Sequence, residues 1–262
     1  MRITPWLRRL LPRRAAVRSE ETSGHARAIL INLDRDAERL RRATAALARQ
    51  DIATIRLPAL LGTALPQFLR ERIPGEVGPG SLGCFLSHVR AWETIAAGEH
   101  GAIVLEDDMQ ILRDLRECHE LAARSGLDLL FMNARMAPPK GPQRRTGSEI
   151  LALDEAILSR TGQGGHACGA DGYYLSPRGA RAMISLVQRT GVWDEVDWTL
   201  LVAAVGRARL PSIAGNPLFA GKLGQLAARL DVSEPLLGAA ALRSPAVRHG
   251  GMGSTRLELN RR

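Results

Sequence analysis

The stretch Gly101-Ala102-Ile103-Val104-Leu105-Glu106-Asp107-Asp108 constrains the possible folds of this chain more than any other. A short apolar run with β-branched Ile103 and Val104 stops abruptly at three consecutive carboxylates. An apolar run of that length bounded by polar residues reads as a buried strand of an α/β sheet. The acidic triplet then stands at the strand's carboxyl end, where open α/β sheets bind their ligands. Three adjacent carboxylates repel one another, so something must compensate them. A hard divalent cation with oxygen ligands, itself holding a diphosphate, would do so. So would a solvated acidic turn leading into a helix near Asp114, because a helix's first turn favours negative charge. The triplet alone leaves both readings open.

The flanking segments fit an α/β order. Arg27 to Leu33 is an apolar run that reads as a strand. Asp34 then opens a helix reaching about Gln50, and Thr54–Leu57 is a strand ended by Pro58. Such a β-α-β order predicts a parallel sheet with a right-handed crossover. A Gly/Pro-rich linker from Ile73 to Gly80 leads to a helix with Ser81 as N-cap and Gly98 as C-cap. Leu127 to Met132 reads as a further core strand, and Pro138 to Gly147 as a loop that could form a lid. Ser176-Pro177 starts a helix that Gly191 ends. Asp194 to Gly206 is expected to be helical, and Ala208 to Ile213 a last strand.

Charge needs locating before it is interpreted. Residues 1–27 hold seven Arg against two Glu, and residues 243–262 five Arg against one Glu. These ends account for the formal +9, so the body between them is close to neutral. A neutral body, an aromatic content of 4% and no basic-aromatic motif argue against a nucleic-acid binder. In the leader, Ile3, Trp6, Leu7, Leu10 and Leu11 form an apolar helical stripe crowded by arginines. That pattern suits contact with an anionic membrane surface. Cys84, Cys118 and Cys168 are odd in number and scattered, which favours free thiols in a reducing, cytoplasmic compartment. The expected division is an arm at 1–27, one domain at 28–235 and a loose basic tail at 236–262. Cys84 and His88 lie one helical turn apart, but no second Cys/His pair lies near enough in sequence for a zinc site.

Three ordered blocks carry a family resemblance. Ile29-Leu30-Ile31-Asn32-Leu33-Asp34-Arg35, with Arg39 following, resembles the opening of the glycosyltransferase family 25 domain. That family includes bacterial lipopolysaccharide galactosyltransferases and collagen galactosyltransferases. Leu82-Gly83-Cys84-Phe85-Leu86-Ser87-His88, with Trp92 downstream, resembles its second signature, and Val104–Asp108 its third, the counterpart of a DxD metal site. Gly172 to Ala180, followed by Val196-Asp197, is a weaker fourth match, and Asn133 departs from the small residue usual after the preceding strand.

The resemblance implies an α/β, GT-A-like (Rossmann-like) fold with a mostly parallel sheet flanked by helices. It also implies a UDP-sugar donor, with galactose first among the sugars, inverting transfer and dependence on Mn²⁺ or Mg²⁺. Asp108 is the expected direct metal ligand. Glu106 and Asp107 are each expected as a ligand, a ribose contact or a neighbour of the ligands, with Glu106 the second candidate for the metal and both expected in donor binding. Asn32, Leu33, Arg35, Arg39, Ser87 and His88 are expected around the donor. Asp197 is the expected base that takes the acceptor's proton, with Asp171 the alternative. The expected acceptor is lipid-linked or an oligosaccharide, met at the inner membrane leaflet where basic ends suit an anionic surface. A non-catalytic glycan- or nucleotide-binding relative of the same fold is the rival, against which the intact Glu106-Asp107-Asp108 speaks.

Overall fold

The computed structural model describes residues 26–250 except 72, 74, 76, 139–147 and 163–167. The amphipathic stripe of the leader, nearly all of the Pro138–Gly147 loop and the tail beyond 250 lie outside the described residues. In chain order, β1 (Arg27–Asn32) and α1 (Ala37–Ala48) precede β2 (Ala53–Pro58), α2 (Pro79–Ala96) and β3 (Ala102–Glu106). Next come β4 (Met109–Ile111), α3 (Leu115–Arg124), β5 (Leu129–Phe131), β6 (Ile150–Ala152), α4 (Leu153–Leu158) and β7 (Gly172–Leu175). The chain closes with α5 (Pro177–Thr190), α6 (Val196–Val205), α7 (Pro217–Arg229), β8 (Ala239–Leu242) and β9 (Val247–His249).

Seven strands form one sheet in the order β2-β1-β3-β7-β5-β8-β6, and β4 pairs with β9 in a separate ribbon. β2, β1, β3, β5 and β8 share one direction, while β7 and β6 run against it. The result is the mostly parallel, helix-flanked α/β sheet of Rossmann-like, GT-A type. Its strands are apolar on both faces because both faces are covered. In β1, Ala28 and Leu30 pack toward α1 and α3, whereas Ile29 and Ile31 pack toward α2, α5, α6 and α7. β3 alternates likewise, with Ile103 and Leu105 on the first face and Val104 on the second. All ten residues of α6 are buried, as befits a helix that is apolar nearly all round. No helix among the described residues is long and apolar enough to cross a membrane.

Register positions the acidic triplet. Ile31 pairs with Glu106 in parallel β1 and β3, so the next residues, Asn32 and Asp107, emerge side by side. The loop after β2 then crosses the first turns of α2 at glycines. A Cβ on Gly62 would meet the Pro79 carbonyl oxygen at 1.6 Å, and one on Gly83 would meet the Leu60 oxygen at 2.4 Å.

Three sequence expectations are corrected. α2 starts at Pro79 with Gly78 as its N-cap, not at Ser81, since proline is preorganised for a first turn. The Ser81 hydroxyl instead bonds Glu195 at 3.0 Å. Ala208–Ile213 is no strand: Leu210–Ile213 is a 3-10 turn, and Pro211 has no N–H to give a ladder. Nor is the chain a loose tail from 236. β8 joins the central sheet between β5 and β6, and β9 zips onto β4. By contrast, Ser176 caps α5 through Gly179 N at 3.0 Å and Gly191 ends it at φ 84°, as expected.

On α2, burial pushes the Glu93 carboxyl up to about 7 although Arg90 pulls it down. The folded state therefore holds this proton more tightly than the unfolded chain. That contribution is full below the unfolded value of 4.5 and is lost as pH rises through about 7. Glu93→Gln is expected to raise stability at pH 8 by about 1 kcal/mol, discounted for partial exposure, or roughly 3 °C in Tm. At pH 4.5 it should change little. Thermal melts at the two pH values check this, and equal shifts at both would contradict it.

Candidate active site

The carboxyl ends of β1 and β3 open into a cleft lined by Asn32, Leu33, Asp36, Arg39, Cys84, Ser87 and the triplet Glu106-Asp107-Asp108. Asp107 is tied down: Asn32 Nδ2 donates to its Oδ2 at 2.7 Å, and Arg39 Nη1 lies 3.5 Å from its Oδ1. Asn32 is itself fixed, because its Oδ1 accepts from Arg56 Nε at 3.1 Å and Nη2 at 2.9 Å. Burial nevertheless raises the Asp107 pKa above its ordinary value.

Asp108 is held differently. His249 Nε2 stands 3.0 Å from its Oδ2, and Gly250 N donates to its backbone oxygen at 2.6 Å. Its Oδ1 is buried with no hydrogen-bond partner among the described residues. Burial first, then repulsion from Glu106, pushes this carboxyl up to about 6. The His249 contact comes from β9, whose pairing with β4 brings Val247–His249 back beside the triplet.

Glu106 faces α2. His88 Nε2 lies 3.5 Å from its Oε1, and Cys84 Sγ 3.9 Å from the same oxygen. A buried chain sets the imidazole: Trp92 Nε1 donates to Tyr173 Oη at 2.8 Å, and Tyr173 Oη meets His88 Nδ1 at 2.9 Å. Indole N–H can only donate, so the phenol's own proton is left for His88 Nδ1. His88 Nε2, on the far side of the ring, has no hydrogen-bond partner among the described residues. His88 is wholly buried and acts on the carboxylate from behind. Ser87 is also committed to the scaffold, donating to Gly83 O at 2.6 Å and accepting from Leu60 N at 2.8 Å, which pins the cleft-lining loop to α2.

A second acidic group gathers around Arg135. Asp171 Oδ1 lies 3.2 Å from Arg135 Nη2, yet neither Asp171 oxygen has a hydrogen-bond partner among the described residues. Burial raises the Asp171 pKa, and Arg135 works against that rise. Burial also opposes the Arg135 charge, but Asp171, Glu106 and Asp197, in that order, outweigh it and hold its pKa above the ordinary value. Arg135 thus pairs with Asp171 and lies in the field of Glu106 and Asp197. Asp197 sits in the first turn of α6, buried, with Oδ1 accepting from Trp198 N at 2.9 Å.

Of the residues expected around a donor, Asn32, Leu33, Arg39, Ser87, Glu106, Asp107 and Asp108 line one cleft. His88 stands behind it, and Arg35 is exposed outside its lining. Cys84 is half-buried in the cleft wall. Asn133, the departure from the family pattern, makes a buried turn: its Oδ1 accepts from Arg135 N and Met136 N, and its Nδ2 donates to Gly169 O. Two residues escaped the sequence reading, His249 and Arg135. The only signal for Arg135 was its place just after a core strand. His249 sat in a segment read as a tail.

Carboxylate oxygens are the ligands that Mg²⁺ or Mn²⁺ favour, and Asp108 offers a buried one without a hydrogen-bond partner among the described residues, two residues from the Glu106 carboxylate. The trio whose donor atoms lie within 4.8 Å of one another among the described residues is Cys84, His88 and Glu106, a mixed sulfur, nitrogen and oxygen set.

The profile of glycosyltransferase family 25 (LPS biosynthesis protein) matches residues 25–199. Procollagen galactosyltransferase 1 of Danio rerio is 28% identical over 181 residues, which cover 62% of this chain. The match takes in 28% of that relative, so the chain corresponds to under a third of its length.

Proposed function

The chain belongs to glycosyltransferase family 25, and from that premise we propose that it moves galactose from UDP-galactose to a growing lipopolysaccharide or related cell-surface glycan. The observation that carries this reading is the acidic triplet at the mouth of β3, with the Asp108 Oδ1 buried and without a hydrogen-bond partner among the described residues. Galactose is supported by the name of the zebrafish relative, and the glycan by the description of the family.

In this reading Asp108 and Glu106 would hold Mn²⁺ or Mg²⁺, which would supply Lewis-acid charge for the leaving nucleoside diphosphate, and His249 would orient Asp108. Asn32 and Arg39 favour the ionised form of Asp107 and hold its orientation, and His88 backs Glu106 from α2. Asp197 takes the acceptor hydroxyl's proton as sugar transfer proceeds with inversion. Asp171 is the alternative base, and its ion pair with Arg135 suits it better to fixing that guanidinium. The basic ends of the chain bring the enzyme to an anionic, lipid-linked acceptor at a membrane surface.

UDP release by the purified protein across a panel of UDP-sugars tests this directly. Turnover of one UDP-sugar that requires added Mn²⁺ or Mg²⁺ is expected. Turnover of none, or turnover unaffected by chelation, would contradict the proposal. Base and partner separate by variant. Asp197→Asn is expected to lower kcat by about 10²–10⁴-fold with the donor KM little changed. Asp171→Asn should cost less in kcat. The reverse order would make Asp171 the base.

A further inference from the structure

Asp107 is a wall shared by two spaces, the cleft described above and a groove between α1 and the β4–β9 ribbon. The groove's charged lining is Arg42, Arg49, Arg113 and Arg248 against Asp107 alone, four positive charges to one negative. The local sequence explains the geometry. Arg42, Ala46 and Arg49 recur at i, i+4 and i+7 and so share one face of α1. The small Ala43 and Ala46, which also line the groove, leave room between the guanidiniums. Across the groove, Val247 turns inward while Arg248 is exposed opposite Gln110, whose Oε1 accepts from Arg248 Nε at 2.9 Å.

Two of the four arginines are already paired, Arg42 with Glu38 at 2.8 Å and Arg113 with Glu149 at 3.1 Å. Arg49 and Arg248 have no carboxylate within ion-pair distance among the described residues. The exposed Arg41 and Arg124, used below as comparison positions, sit on carboxylates. Two guanidiniums lining one groove with no carboxylate on either offer the forked N–H donors that phosphate oxygens accept from.

We propose that this groove is an anion subsite that takes a phosphate ester of the acceptor. The naming of the acceptor rests on the transferase reading above; the anion chemistry does not. A ligand seated between Arg49 and Arg248 lies one side chain, Asp107, from the donor cleft. The groove thereby selects acceptors that carry a phosphate near the hydroxyl to be glycosylated.

The test uses the full chain in EDTA, so that no divalent cation occupies the acidic triplet. Phenylglyoxal labels arginines, and mass spectrometry maps the labelled positions with glucose 6-phosphate or glucose present. Protection of Arg49 and Arg248 by the phosphate ester, about threefold or more relative to Arg41 and Arg124, is expected, with none from glucose. The double variant Arg49→Glu/Arg248→Glu should bind glucose 6-phosphate at least about tenfold more weakly. Arg41→Glu/Arg124→Glu, with the same charge change, should keep the parent's binding, and melts of both variants report folding. Uniform labelling in both sugars, or equal loss in the two double variants, would overturn the proposal. So would phosphatidylglycerol vesicles that depend on Arg49 and Arg248 while glucose 6-phosphate protects neither, because the groove would then serve a lipid surface. No donor enters these measurements. Failure of UDP-sugar turnover beside intact protection would therefore count against the transferase reading alone.

Discussion

Asp108→Asn is expected to lower kcat/KM for sugar transfer by about 10³-fold or more, some 4 kcal/mol of transition-state stabilisation. The reason lies in where the charge sits. Asp108 is buried, its pKa is raised by burial and by Glu106, and one of its oxygens has no hydrogen-bond partner among the described residues. A carboxylate in that condition gains from a cation beside it, and a cation there needs the carboxylate. The amide keeps the shape and can still meet His249, so the fold should survive. Relief of like charge should leave Tm unchanged or slightly higher. Initial rates at saturating Mn²⁺, with a melt of the same sample, check both halves. Activity within tenfold of the parent would remove Asp108 from the reaction.

Gly62→Ala should have the largest effect on stability. The added Cβ would lie 1.6 Å from the Pro79 carbonyl oxygen, 2.6 Å from its carbon and 3.0 Å from Gly83 N. All three are backbone atoms, so no side chain can swing away. The loop and the first turn of α2 must separate, and both line the cleft. A cost of about 3 kcal/mol or more follows, or roughly 6–12 °C in Tm. Gly221→Ala, in the middle of α7 with nothing within 4 Å of the new Cβ, is the contrast. It should stabilise by up to about 1 kcal/mol through helix propensity. Comparable Tm changes in the two variants would contradict the close crossing.

The sheet's leading half was legible because each element announces itself locally. β1 and β3 are apolar runs with abrupt polar ends, and Ser176-Pro177 with Gly191 brackets α5 by its caps. The acidic triplet stood out because carboxylates rarely crowd the end of a buried strand. What stayed hidden was long-range. Ala239-Ala240-Ala241-Leu242 has small side chains and little β propensity, yet β5 and β6 recruit it on either side. Ala208–Ile213 looked more like a strand and is not one, since proline cannot complete a ladder. β9 is only Val247–His249, too short for periodicity to register. With it went His249, whose approach to Asp108 is a property of the β4–β9 pairing and not of its neighbours in sequence. Arg135 escaped for a similar reason, because its partners Asp171 and Asp197 come from β7's approach and from α6. Local signals thus defined the floor of the site, and tertiary pairing supplied its walls.

The claim that the end of β3 is a cation-dependent nucleotide-sugar site is tested most directly by calorimetric titration of UDP into the purified chain. The titration is run with Mn²⁺ and again in EDTA, for the parent and for Asp108→Asn. Binding with Mn²⁺ that vanishes in EDTA and in the variant is the predicted result. Equal binding in EDTA, or an unchanged affinity in Asp108→Asn, would contradict it.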